Sequence, residues 1–115
     1  MNIETFRHFC LSKKGVTEEF PFGEDVMVFK VMGKMFALTR IDSFPSINLK
    51  CDPEKAVELR ELYTSVTEGY HMSKKHWITV QMDGNISDHK IHSWIDHSYE
   101  LVVLALPKKV QQSLA

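Results

Sequence analysis

Gly69-Tyr70-His71-Met72-Ser73-Lys74-Lys75-His76-Trp77-Ile78-Thr79-Val80-Gln81-Met82 changes character at its middle. Its first nine residues carry two lysines, two histidines, a tyrosine and a tryptophan, and no acid. That is the composition of an exposed hairpin tip. From Trp77 onward polar and apolar residues alternate, which is the period of a half-buried strand. Ile78, Val80 and Met82 then point to one side, and Trp77, Thr79 and Gln81 to the other. A short strand over about 66–70 precedes the tip and completes the hairpin.

Upstream, Asp52-Pro53-Glu54 reads as a helix start. Aspartate caps, proline takes the first helical position, and an acid sits in the first turn. Ala56, Leu59, Leu62 and Tyr63 continue one apolar stripe, so the helix covers about 53–64. Ser46-Ile47-Asn48-Leu49-Lys50 alternates as a strand. Before it, Val26–Val31 and Met35–Arg40 flank Met32-Gly33-Lys34, a tight turn with glycine at a special backbone position. Phe36 and Leu38 are expected on one face of the return strand. Phe20-Pro21-Phe22-Gly23 reads as part of an extended connection. Ile3, Phe6, Phe9 and Cys10 recur at helical spacing after Asn2, which marks a first helix over about 3–13. Downstream, Asp83-Gly84 marks a turn, and Ser87 or Asp88 caps a last helical region. It carries Ile91, Trp94 and Ile95, is expected to break near residues 96–98, and ends or kinks at Pro107. Lys108-Lys109 then forms a basic tail.

The element order predicts an α+β fold in two layers, α-β(3)-α-β(2)-α. A five-stranded antiparallel sheet would carry its helices on one face. At 115 residues the chain reads as a single domain over 1–115. No apolar run approaches the ~18–20 residues of a membrane span. The N-terminus has neither the basic nor the apolar region of a secretory signal. Cys10 and Cys51 are far apart and outside any C-x-x-C frame, and read as reduced, packed thiols. A cytoplasmic protein is the expectation.

Net charge is −1, which argues against indiscriminate binding of polyanions. Its distribution is uneven. Segments 26–41, 43–51 and 69–82 hold six cations (Lys30, Lys34, Arg40, Lys50, Lys74, Lys75) and no acid. The other eight cations and all fifteen acids lie elsewhere. The open sheet face is expected to present Lys30, Asn48, Lys50, Trp77, Thr79 and Gln81.

Several blocks, taken together and in order, resemble the MmcQ/YjbR family. They are Phe20-Pro21-Phe22-Gly23, Gly33-Lys34-Met35-Phe36-Ala37, Asn48-Leu49-Lys50-Cys51-Asp52-Pro53-Glu54, Gly69-Tyr70-His71-Met72, Lys74-Lys75-His76-Trp77, and Ile95-Asp96 with Ser98-Tyr99 and Leu101-Val102. The resemblance implies a fold like that of the type III secretion chaperones. It also implies a DNA-binding protein whose paired hairpins form a double wing on the duplex. In this chain the wings would be the Gly33-Lys34 turn and the His71–Lys75 loop. Ser73 and Ile78 depart from the family pattern, which more often has asparagine there.

On that reading Lys34, Lys50, Lys74 and Lys75 pair phosphates, Trp77, Tyr70 or His76 stacks on bases, and His71 joins the same nucleic-acid-binding set. The alternative is a protein-binding or homodimerising chaperone-like module using the same face, with Val26 and Val28 beside Trp77 as an apolar patch. No Ser/His/Asp or Cys/His arrangement accompanies His71, His76 or Cys51, so the chain reads as a binding domain and not an enzyme. Asp88, His89, His92 and Asp96 share a helical neighbourhood, but their spacing matches no zinc signature. No metal or cofactor is expected.

Overall fold

The computed structural model describes residues 1–69 and 72–115. The chain is α+β, with six antiparallel strands in the order β1-β2-β3-β4-β6-β5. Chain order is α1 (Ile3–Leu11), β1 (Val16–Glu19), β2 (Val26–Val31), β3 (Lys34–Arg40), β4 (Ser46–Lys50), α2 (Pro53–Leu62), β5 (Val66–Glu68), β6 (Trp77–Gln81), α3 (Asp88–Leu104) and α4 (Lys108–Ser113).

The helix starts follow from local chemistry. Asn2 and Thr5 form a capping box on α1. The Asp52 carboxylate accepts the Glu54 and Lys55 N–H groups ahead of Pro53. The Ser87 hydroxyl accepts the Lys90 N–H. The first three helices cover one sheet face. There Phe6 and Cys10 of α1, Leu59 of α2, and Trp94 and Ile95 of α3 join strand residues such as Phe29, Ile47 and Val80 in a single core.

The fold differs from the sequence expectation in four places. The sheet has six strands rather than five, because Val16–Glu19 pairs antiparallel with β2. Two of its four residues are glutamates, a residue disfavoured in strands. An edge position accommodates them: Glu18 pairs with Arg7 and Glu19 with Lys30 at 3.3 Å. Second, the β2–β3 register shifts between Phe29 and Lys30, leaving Phe36 as an extra residue between the Phe29–Ala37 and Lys30–Met35 pairs. This bulge sends Phe36 and Ala37 into the core, while Leu38 faces the opposite side. Phe36 and Leu38 therefore do not share a face. Third, α3 runs unbroken through residues 96–98. Ser98 is small and fully buried there, and its hydroxyl bonds to the sheet. Fourth, the basic tail after Pro107 forms the short helix α4.

Candidate nucleic-acid interface at one end of the sheet

Strand pairing decides which loops meet. Lys34 and Met35 begin β3, Lys50 ends β4 and Trp77 begins β6, and these three strand termini lie at the same end of the sheet. The β2–β3 turn and the β5–β6 connection therefore project from one end, on either side of β4. With strands about 4.8 Å apart, β3 and β6 are separated by about 10 Å. The same end receives the α1–β1 connection with Lys13 and Lys14, and the α3–α4 junction at Pro107-Lys108. Two of the acids there have defined partners. Asp52 caps α2, and Glu68 lies 3.6 Å from Lys74. The opposite end carries Glu24, Asp25, Asp42 and Asp83 in its connections, with Arg40 beside them. The molecule thus has a basic end and an acidic end.

The sheet face away from the core helices is cupped. A cleft of about 690 Å³ runs over it. Across strands its floor follows the row Leu38, Asn48, Thr79 and Thr67. The Asn48 amide donates to the Thr79 hydroxyl at 2.8 Å, which in turn donates to the Glu68 carbonyl at 2.9 Å. Phe22, from the connection between β1 and β2, lines the cleft together with Met72 and Trp77. A second cleft, of about 660 Å³, shares Phe22, Met35 and Trp77 and adds Lys30, Lys34 and Lys50. Val26 lines the first cleft, whereas Val28 is fully buried and offers no surface to a partner.

Of the residues singled out from sequence, Lys34, Lys75 and His76 are exposed, and Lys50 and Trp77 are half-buried. Lys74 is exposed and paired with Glu68. The His76 carbonyl accepts the Cys51 N–H at 2.8 Å, tying the tip to the end of β4. Tyr70 and His71 lie outside the described residues. Lys30 faces Glu19, whose carboxyl is held below its usual range first by the Thr17 hydroxyl and then by the Lys30 ammonium. Phe22 and Met35 stand in the family blocks but were not named as site residues. Periodicity does not show that an irregular connection such as that of Phe22 folds back over the sheet.

The other candidate groups are engaged elsewhere. Burial raises the Cys51 thiol to about 11 and raises Cys10 further, so both are protonated at neutral pH. His92 stacks on Phe9 with centroids 4.0 Å apart. Asp96 pairs with Lys13, and Asp88 with the N-terminal ammonium. Among the described residues no group of three His, Cys, Asp or Glu side chains converges as a metal site. No helix among them is long and apolar enough to cross a membrane.

Gly69 sets where the tryptophan sits. A methyl group at Gly69 would lie 2.7 Å from Trp77 Cβ and 3.1 Å from its carbonyl oxygen. The Gly69 N–H donates to that same oxygen at 3.1 Å. Gly69→Ala is therefore expected to cost about 1–3 kcal/mol through overpacking. A urea denaturation midpoint equal to wild type would contradict this close approach.

Comparison with known proteins gives a consistent picture. The YjbR family model matches residues 11–101. YbdF of Escherichia coli O157:H7 is 40% identical over 110 residues, covering 95% of this chain and 90% of the relative. YjbR of Escherichia coli K12 is 30% identical over 115 residues, covering 99% and 98%. The crystal structure of a Deinococcus radiodurans protein with a DUF419 domain superposes with a TM-score of 0.91 at 35% identity, covering 98% of this chain and 87% of that one. A Pseudomonas syringae protein superposes with a TM-score of 0.75 at 30% identity, covering 88% and 98%. A family model spanning most of the chain, and relatives aligned along nearly all of it, place the chain in the YjbR family.

Proposed function

We propose that this domain binds DNA, as a non-enzymatic cytoplasmic protein, by setting phosphates on the basic end of its sheet. The observation that carries the reading is the convergence of two lysine-bearing hairpin tips on either side of Lys50. Lys34, Lys50 and Lys75 make no salt bridge among the described residues, which leaves them available to phosphate oxygens. A chain of net charge −1 gains electrostatic attraction for a polyanion only where its charges are segregated, and here they are segregated end to end. Phosphate contacts orient a protein on DNA without reading sequence, so the binding would be largely sequence-independent. Two unpaired, buried cysteines accord with a reducing compartment.

Fluorescence anisotropy with a 20-base-pair duplex across a salt series tests this. Neutralising about four phosphates gives a log–log salt slope near −3 to −4. The Lys34→Ala/Lys50→Ala double variant is expected to flatten that slope by about 2. Absence of binding even at low salt would overturn the proposal. A second reading, a protein or self-association contact through the same face, is favoured by the apolar lining contributed by Phe22, Val26, Met35, Leu38 and Trp77. Apolar docking would show almost no dependence on salt.

A further inference from the structure

The cleft on the open sheet face and the cleft at its basic end differ in chemistry and share lining residues. The first is floored by Leu38, Asn48 and Thr79 and walled by Phe22 and Trp77. The second shares Phe22 and Trp77 and carries the three lysines. Lys30 is engaged by Glu19 at 3.3 Å, which leaves Lys34 and Lys50 as its available cations. The ligand matching this pair of clefts has a flat apolar body and an anionic group attached directly beside it.

The floor adds a further requirement. The Asn48 amide nitrogen is committed to Thr79, but its carbonyl oxygen has no hydrogen-bond partner among the described residues. Neither does the side-chain amide of Gln81, which also lines the cleft. Such groups suit the edge of a heteroaromatic ring. In a duplex the bases are stacked and paired, and only phosphates are offered to the basic end. An unpaired base can be splayed out, stacked on an aromatic side chain and hydrogen-bonded along its edge.

We propose that the cleft accepts one unpaired base of single-stranded DNA, stacked on the aromatic lining of Phe22 and Trp77, with its adjoining phosphates on Lys34 and Lys50. The inference rests on the DNA-binding reading and deepens it, since it makes the protein prefer single strands. Charge complementarity selects this occupant over an uncharged peptide, because the apolar cleft opens directly onto cations.

Trp77 is half-exposed in the cleft, while the other tryptophan, Trp94, is buried on the core face of α3 and gives a constant background. Titration with a twelve-residue oligothymidylate at low salt is expected to quench part of the tryptophan emission. The oligomer should bind about 5- to 150-fold more tightly than a twelve-base-pair duplex, the range one stacked base supplies. Trp77→Ala should abolish the preference. Phe22 is 61% exposed on an irregular connection. Phe22→Ala therefore leaves the core intact and should reduce the preference at least severalfold. Duplex and single strand binding equally without quenching would overturn the base cleft and leave the phosphate reading standing. A single-strand preference that survives both substitutions would also overturn it. Failure of both DNAs to bind would overturn both proposals.

Discussion

Phe6→Ala is expected to lower unfolding free energy by about 3–5 kcal/mol, the usual cost of emptying a buried phenylalanine site. Domains of this size are typically stable by only about 5–15 kcal/mol, so the variant would approach the limit of folding. Phe6 is fully buried and meets Phe29 edge-on, with centroids 5.6 Å apart. Its other face meets Phe44 at the same separation. One ring thus joins α1, β2 and the β3–β4 connection. Phe44 has φ of +45° and its neighbour Ser43 has φ of +57°, both in the left-handed region. Such a backbone costs roughly 1–2 kcal/mol per residue, and contact of the Phe44 ring with Phe6 helps to hold it. The loss should therefore appear twice: as a lowered denaturation midpoint, and as faster amide exchange through residues 41–45. Phe6→Leu, which refills most of the volume, should recover much of the loss. A midpoint shift under about 1 kcal/mol for the alanine variant would show that the site collapses freely.

Ser98→Ala is the second large effect, and it acts through two polar groups rather than through volume. The Ser98 hydroxyl donates to the Phe36 carbonyl at 2.5 Å and accepts the Lys50 N–H at 2.9 Å. The Phe36 carbonyl belongs to the bulge, where the strand ladder is interrupted. Alanine would leave both groups without a partner. Each buried unsatisfied group costs about 1–3 kcal/mol, so a loss of about 2–4 kcal/mol is expected in chemical denaturation. The amide resonance of Lys50 should move more than those of Ile47 or Asn48. On the proposed DNA-binding reading, affinity should also fall, because Lys50 stands between the two tips. Wild-type stability in this variant would mean that water replaces the hydroxyl at no cost.

The two effects illustrate what could be read from the chain. Strict alternation in 46–50 and 77–82 located β4 and β6, because burial on one face leaves a period of two that few other structures imitate. Asp52-Pro53 located α2 because capping is a local interaction. The basic residues of the tips were also legible, as were the family blocks that contain them. The common end on which those tips converge was not legible, because it depends on β4 lying between β3 and β6. Two other features were hidden for related reasons. The bulge at Phe36 breaks alternation by a single residue, and Phe22 reaches the cleft through an irregular connection. β1 was missed because its glutamates are stabilised by Arg7 and Lys30, partners brought in by the fold. In each case the missing information was a long-range contact.

Both outermost strands are brief. β1 has four residues and β5 has three, and each ends in a glutamate, Glu19 and Glu68. An unpaired strand margin is a template on which another chain can add hydrogen bonds, the first step toward stacking copies into a fibril. Margins this short give an incoming chain few bonds, and their terminal carboxylates repel a second copy placed alongside. Growth of the sheet beyond six strands is thereby disfavoured at both sides. Concentrated solutions should consequently stay free of thioflavin-positive aggregates while the native fold persists.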